Sequence, residues 1–80
     1  MTDIRTATML LFRDENYEPP TGEEVRALLR YADLTGVEAG LVAGASDRGI
    51  RYWTGGDRVI SYSAWRLLLM YAGLVEPETD

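Results

Sequence analysis

The sequence predicts an all-α domain of four helices, and three observations carry that prediction. Two capping boxes open helices, Thr21 with Glu24 and Thr35 with Glu38; in each the threonine accepts a backbone N–H three residues on and the glutamate reaches back. Val25, Leu28, Leu29 and Ala32 recur at i, i+3, i+4 and i+7, one apolar face of a helix. Between the two middle helices stand only Gly44-Ala45-Ser46, a turn too tight to let them lie side by side.

Residues 1–20 read as an acidic lead-in. Within it, residues 6–12 are apolar with two β-branched threonines, too short for periodicity to separate a short N-terminal strand from a helical turn. Arg13-Asp14-Glu15-Asn16 is polar and turn-like, and Pro19-Pro20 halts any regular element. The first helix then runs from Thr21 to a stop near residues 31–33, with Arg26 and Arg30 off its apolar face. The second is short and weak, because Gly36 and Gly40 lower helix propensity; Gly44 ends it in the left-handed conformation. Ser46 caps a third helix that reaches Trp53 or Thr54 and is closed by Gly55-Gly56. A loop with a short extended piece at Val59-Ile60 leads to a fourth helix opened by Ser61 or Ser63. Its buried face is Trp65, Leu68, Leu69 and Ala72, its stop is Gly73, and Leu74-Val75 fold back over its end. The domain therefore spans residues 21–75, and residues 76–80 read as a frayed acidic tail.

Composition excludes several chemistries. At 80 residues the chain is one domain, and it has neither cysteine nor histidine. Disulfide frameworks, thiolate or imidazole metal sites and His-dependent nucleophilic catalysis are thus absent by inventory. Glu23-Glu24 and Asp14-Glu15 are carboxylate pairs, but adjacent residues on a helix do not face each other, so nothing supports acid–base catalysis. No enzyme activity, cofactor or metal is expected. No apolar run approaches the ~20 residues that cross a bilayer, and the N-terminus lacks a signal peptide's pattern. A soluble protein of the cytoplasm is the expectation, with no membrane partner.

Net charge is −5, a poor starting point for nucleic-acid binding, but the charge is unevenly placed. Residues 1–24 carry −4, whereas residues 44–66 carry +2 through Arg48, Arg51, Arg58 and Arg66 against Asp47 and Asp57. With Ile50 and Trp53 inward on the third helix, Asp47, Arg48, Arg51 and Tyr52 occupy its outer and flanking faces. Two arginines near the N-terminus of such a helix suit guanine edges or phosphate oxygens in a major groove. Asp47 reads either as an acceptor for cytosine N4 or as a helix N-terminal acid. Ser46, at the helix N-terminus, is placed to receive a phosphate. Tyr52 fits a phosphate or ribose, or packing on Trp53 or a loop, and Arg58 in the following loop fits backbone phosphate. The bland alternative for both helix arginines is an ordinary solvated face.

The run Leu34-Thr35-Gly36-Val37-Glu38-Ala39-Gly40, the turn Gly44-Ala45-Ser46 and the block Ile50-Arg51-Tyr52-Trp53 resemble the helix-turn-helix of the Cro/repressor family of phage regulators. Ser46-Asp47-Arg48, Ile50-Arg51-Tyr52 and residues 58–62 look most like the small regulators encoded beside phage anti-CRISPR genes. The resemblance covers residues 21–75. It implies a homodimer that reads an inverted repeat in double-stranded DNA and represses its own operon, with third-helix arginines as key contacts. Two positions depart from the family pattern: Gly36 stands where a phosphate-binding glutamine is common, and Gly40 where alanine is usual. Such loci also encode acidic inhibitors, so an anti-CRISPR protein docking on a CRISPR effector complex is the alternative, with Asp14, Glu15, Glu18, Glu23 and Glu24 as its contacts. For the dimer, the surplus apolar residues of the last helix and its end, Leu67, Met70, Tyr71, Leu74 and Val75, with residues 9–12 of the lead-in as an addition, are the candidate interface.

Overall fold

Both capping boxes form. Thr21 Oγ1 accepts the Glu24 N–H at 3.2 Å while the Thr21 N–H donates to Glu24 Oε1 at 2.8 Å, opening α1 (Gly22–Tyr31). Thr35 and Glu38 repeat the exchange at 3.1 and 2.9 Å and open α2 (Gly36–Ala43). Ser46 Oγ accepts the Gly49 N–H at 3.1 Å ahead of α3 (Asp47–Gly55). Ser61, rather than Ser63, caps α4 (Tyr62–Tyr71) by accepting the Ala64 N–H. These assignments come from a computed structural model, which describes residues 4–76. The expectation of a frayed tail falls, from residue 77 on, outside the described residues.

All four helices stop in the same way. The N–H of Leu34, Ala45, Asp57 and Leu74 donates to the carbonyl five residues back, on Leu29, Gly40, Tyr52 and Leu69, at 2.8–3.0 Å. This closure requires one residue in the left-handed region. Three helices use glycine there and the fourth uses Asp33, with φ 56°.

The helices enclose one core. Val25, Leu28 and Leu29 of α1, Ala39 and Ala43 of α2, Ile50 of α3, Ile60 of the loop, and Trp65, Leu68 and Leu69 of α4 are buried. α2 packs against both α3 and α4, and α1 packs against α3. The described helices are all α or 3-10, and the described residues contain no strand, as an all-α class requires. The N-terminal strand option is not taken up: Thr6–Met9 form a 3-10 helix. The Thr8 N–H and hydroxyl both donate to the Arg5 carbonyl, at 3.1 and 2.8 Å, which curls the backbone. A strand needs a neighbour to satisfy its backbone, and among the described residues there is none.

The lead-in, from residue 4 on, is part of the folded body. Ile4 and Thr8 are buried, and Trp65 Nε1 donates to the Thr8 carbonyl at 3.0 Å. Arg5 grips Glu24 with its backbone N–H, Nε and Nη2, at 2.9–3.0 Å, and also pairs with Glu18. Phe12 and Tyr17 meet Tyr62 of α4 with ring centroids 5.2 and 5.4 Å away. Burial there raises the Tyr17 hydroxyl above its ordinary pKa of 10.0.

Candidate nucleic-acid interface

The turn between α2 and α3 is built by close approach. Gly44 takes φ 70°, and the N–H groups of Gly44 and Ala45 both donate to the Gly40 carbonyl. A Cβ at Gly40 would lie 2.5 Å from the Ala45 carbonyl oxygen. Any side chain there would push the turn away, which is why alanine does not stand at this position. Ile50, 2% exposed, anchors the inner face of α3, and Trp53 packs partly buried against the core. The far end of α3 is held by α1: Arg26 Nη1 donates to the Thr54 carbonyl, and Gly22 approaches the Thr54–Gly56 backbone.

This seating leaves Asp47, Arg48 and Arg51 exposed on α3. Arg48 and Arg51 are one turn apart, and among the described residues no hydrogen bond or ion pair holds either guanidinium. Ser46 is exposed; its oxygen is engaged as an acceptor by the cap, and its hydroxyl proton remains available to donate. Tyr52 is half-buried, and its ring lies under the Arg58 guanidinium, 4.5 Å from centroid to Cζ. Tyr52 therefore sits against the following loop, one of the arrangements open from the sequence.

The structure separates these cations from two others. Arg66 turns inward, its Nη1 donating to the Met9 carbonyl at 2.7 Å, and Arg26 is drawn to Thr54. Both could have been counted as phosphate ligands from charge alone. The Tyr52–Arg58 pair is the feature that sequence reading did not find. Its members are six apart across a Gly-Gly turn, where neither helical nor strand periodicity runs on.

Of the candidate dimer residues, Leu67 and Tyr71 are exposed, one turn apart on the outer face of α4, and Met70 is half-buried. Leu74 and Val75 pack, partly buried, against the core. Among the described residues no group of acids offers a metal site, and no helix is long and apolar enough to cross a membrane.

Fold and site together define a small all-α protein built on a helix-turn-helix whose second helix is exposed and cationic. No protein-family model matches the chain. It is 52% identical over 63 residues to a transcriptional repressor protein KorC of Escherichia coli, covering 75% of this chain and 74% of that one. A second KorC transcriptional repressor from the same species is 38% identical over 77 residues, covering 92% and 91%. The chain belongs to the KorC family of transcriptional repressors.

Proposed function

We propose that this protein represses transcription by binding double-stranded DNA as a homodimer at an inverted repeat in its own operon, in the cytoplasm of a bacterial cell. The observation that carries this reading is α3: seated by Gly40, Ile50 and Arg26, it presents Arg48 and Arg51 outward with no partner among the described residues. The KorC relatives, named as transcriptional repressors, support the same reading. Arg48 and Arg51 read guanine edges or hold phosphates, Ser46 donates to a phosphate at the helix start, Asp47 flanks them, and Arg58 meets the backbone beyond the helix. Leu67 and Tyr71, with Met70, form the centre of the dimer contact. The protein acts without a cofactor and has no catalytic role.

The test is fluorescence anisotropy with the DNA upstream of its own gene. Arg48→Ala and Arg51→Ala are each expected to weaken specific binding by roughly 1–3 kcal/mol. Stability should stay within ~0.5 kcal/mol of wild type, since both residues are exposed. Wild-type affinity in both variants removes α3 as the reader. An anti-CRISPR operon is the first to examine, given the resemblance to regulators of such loci.

Net charge of −5 favours one second reading, an inhibitor that docks its acids on a cationic CRISPR complex. It is the weaker of the two, because Glu24 is buried and both Glu18 and Glu24 are paired with Arg5. Charge reversal at Asp14, Glu15 and Glu23, assayed for operator binding and for CRISPR interference, separates the readings. Loss of interference inhibition, with no operator binding by any variant, overturns the repressor.

A further inference from the structure

We infer that Tyr52 serves DNA binding only through Arg58: its ring seats the Arg58 guanidinium to meet a phosphate of the groove wall, and Tyr52 itself touches no nucleotide. This rests on the DNA-binding reading above. The loop backbone is fastened over Tyr52, whose carbonyl accepts the N–H groups of Asp57 and Arg58 at 2.9 and 3.3 Å. From there the Arg58 side chain lies back over the Tyr52 ring, Cζ 4.5 Å from the centroid. A guanidinium held over a ring by its cation–π attraction keeps N–H groups that the ring does not occupy. Among the described residues no hydrogen bond or ion pair engages them. The neighbouring Asp57 carboxylate does not intervene: its Oδ2 lies beside Gly55, 3.3 Å from where a Cβ would stand.

An unsupported arginine gives up rotamer freedom when it grips a phosphate; one already stacked has given up part of it beforehand. Position argues for phosphate rather than base. Base edges are read from the N-terminal half of such a helix, where Arg48 and Arg51 stand, and Arg58 follows its C-terminal end. The contact is therefore expected to strengthen binding to every sequence alike.

The experiment titrates wild type, Tyr52→Phe, Tyr52→Leu, Arg58→Gln and the Tyr52→Leu/Arg58→Gln double variant against the upstream duplex and a scrambled duplex over a salt series. Arg58→Gln should weaken both duplexes about equally and reduce the salt slope by about one per subunit. Tyr52→Leu should weaken binding about 2- to 5-fold and add nothing once Arg58 is gone. Tyr52→Phe, which keeps the ring, should bind as wild type. Arg58→Gln leaves the helix packing alone, so where Tyr52→Leu fails to fold its slope tests the phosphate contact, and Tyr52→Phe with the ring-current shift on Arg58 tests the role of Tyr52. An unchanged slope, additive losses, or a loss in Tyr52→Phe overturns the inference. So does the absence, in the free protein, of an upfield ring-current shift on the Arg58 side-chain protons. Wild type that binds no duplex at all brings down the repressor reading and this inference together. Wild type that binds, with an unchanged Arg58→Gln slope, brings down this inference alone.

Discussion

Asp33 shows how much one position carries. It holds the left-handed residue that closes α1, a conformation strained for any side chain, while the equivalent positions after α2, α3 and α4 are Gly44, Gly56 and Gly73. Its carboxylate also stands at a helix C-terminus, where the helix dipole disfavours negative charge. Asp33→Gly is therefore expected to stabilise the fold by about 1 kcal/mol. That should raise the melting temperature by roughly 4–8 °C in a chain of this size, read by circular dichroism. The stop itself was legible in the sequence as the end of an apolar face, because the signal is local. The identity of the left-handed residue was not, since aspartate tolerates that conformation without advertising it.

Among the elements, α2 is the one whose composition looks wrong and is not. Two glycines in eight residues weaken it as an isolated helix, yet they have opposite roles. Gly40 admits the Ala45 carbonyl, 2.5 Å from where a Cβ would stand, whereas Gly36 has only Ile50 Cγ2 near, at 3.9 Å. Gly40→Ala is expected to destabilise by roughly 1–3 kcal/mol and to loosen the turn that seats α3. Gly36→Ala should stabilise by about 0.4–1 kcal/mol. Urea denaturation of the two variants gives shifts of opposite sign if the turn is built this way; equal shifts would show that only helix propensity is at work. The capping box and the Gly44 stop located α2 correctly. Which glycine was needed depended on the angle at which α3 crosses it, and no local pattern encodes that angle.

On the scale of the whole molecule, two demands meet: holding the lead-in and reaching DNA. Burial alone would raise the pKa of Glu24, but hydrogen bonds from the Arg5 side chain and from the Arg5 and Thr21 backbones, with the Arg5 charge, hold it at about 2 against an ordinary 4.5. The depressed value fixes the sign. The ionised carboxylate contributes stability that is fully present above about pH 4.5 and is lost as pH falls through about 2. Glu24→Gln keeps the capping box and removes the charge, so it should cost roughly 1.5–3 kcal/mol at pH 7. The gap between variant and wild type should close as urea titrations move from pH 4.5 towards pH 2. Reaching DNA is a question of size. A body of 30 × 25 × 22 Å with a nine-residue α3, ~14 Å long, spans about four base pairs. On the proposed dimeric reading two half-sites lie ~34 Å apart, one for each copy, and light scattering at tens of micromolar should give a dimer mass. With Arg26 and Arg66 turned to carbonyls, about one to three phosphate contacts remain per subunit. For the proposed dimer the salt slope should then be modest, about −2 to −5. A slope near −10 would mean that cations beyond Arg48, Arg51 and Arg58 are engaged.

By itself the sequence placed the four helices and the caps of the first three, and left the α4 cap between Ser61 and Ser63, because caps, apolar spacing and glycine stops are exchanges between residues three to five apart. It also determined that the positive charge lies in residues 44–66 and that Ile50 and Trp53 turn inward, leaving Arg48 and Arg51 outside. The tertiary structure alone decided which arginines remain available. Arg26 meets a carbonyl 28 residues away and Arg66 one 57 residues away, and Arg5 finds Glu24 at a separation of 19. It also decided that residues 4–20 fold onto the helices, through Trp65 and Arg66 of α4 and Glu24 of α1. A long arginine pairs with whatever acceptor the packed chain brings within reach, and that neighbour is set by how helices cross rather than by the order of residues along the chain.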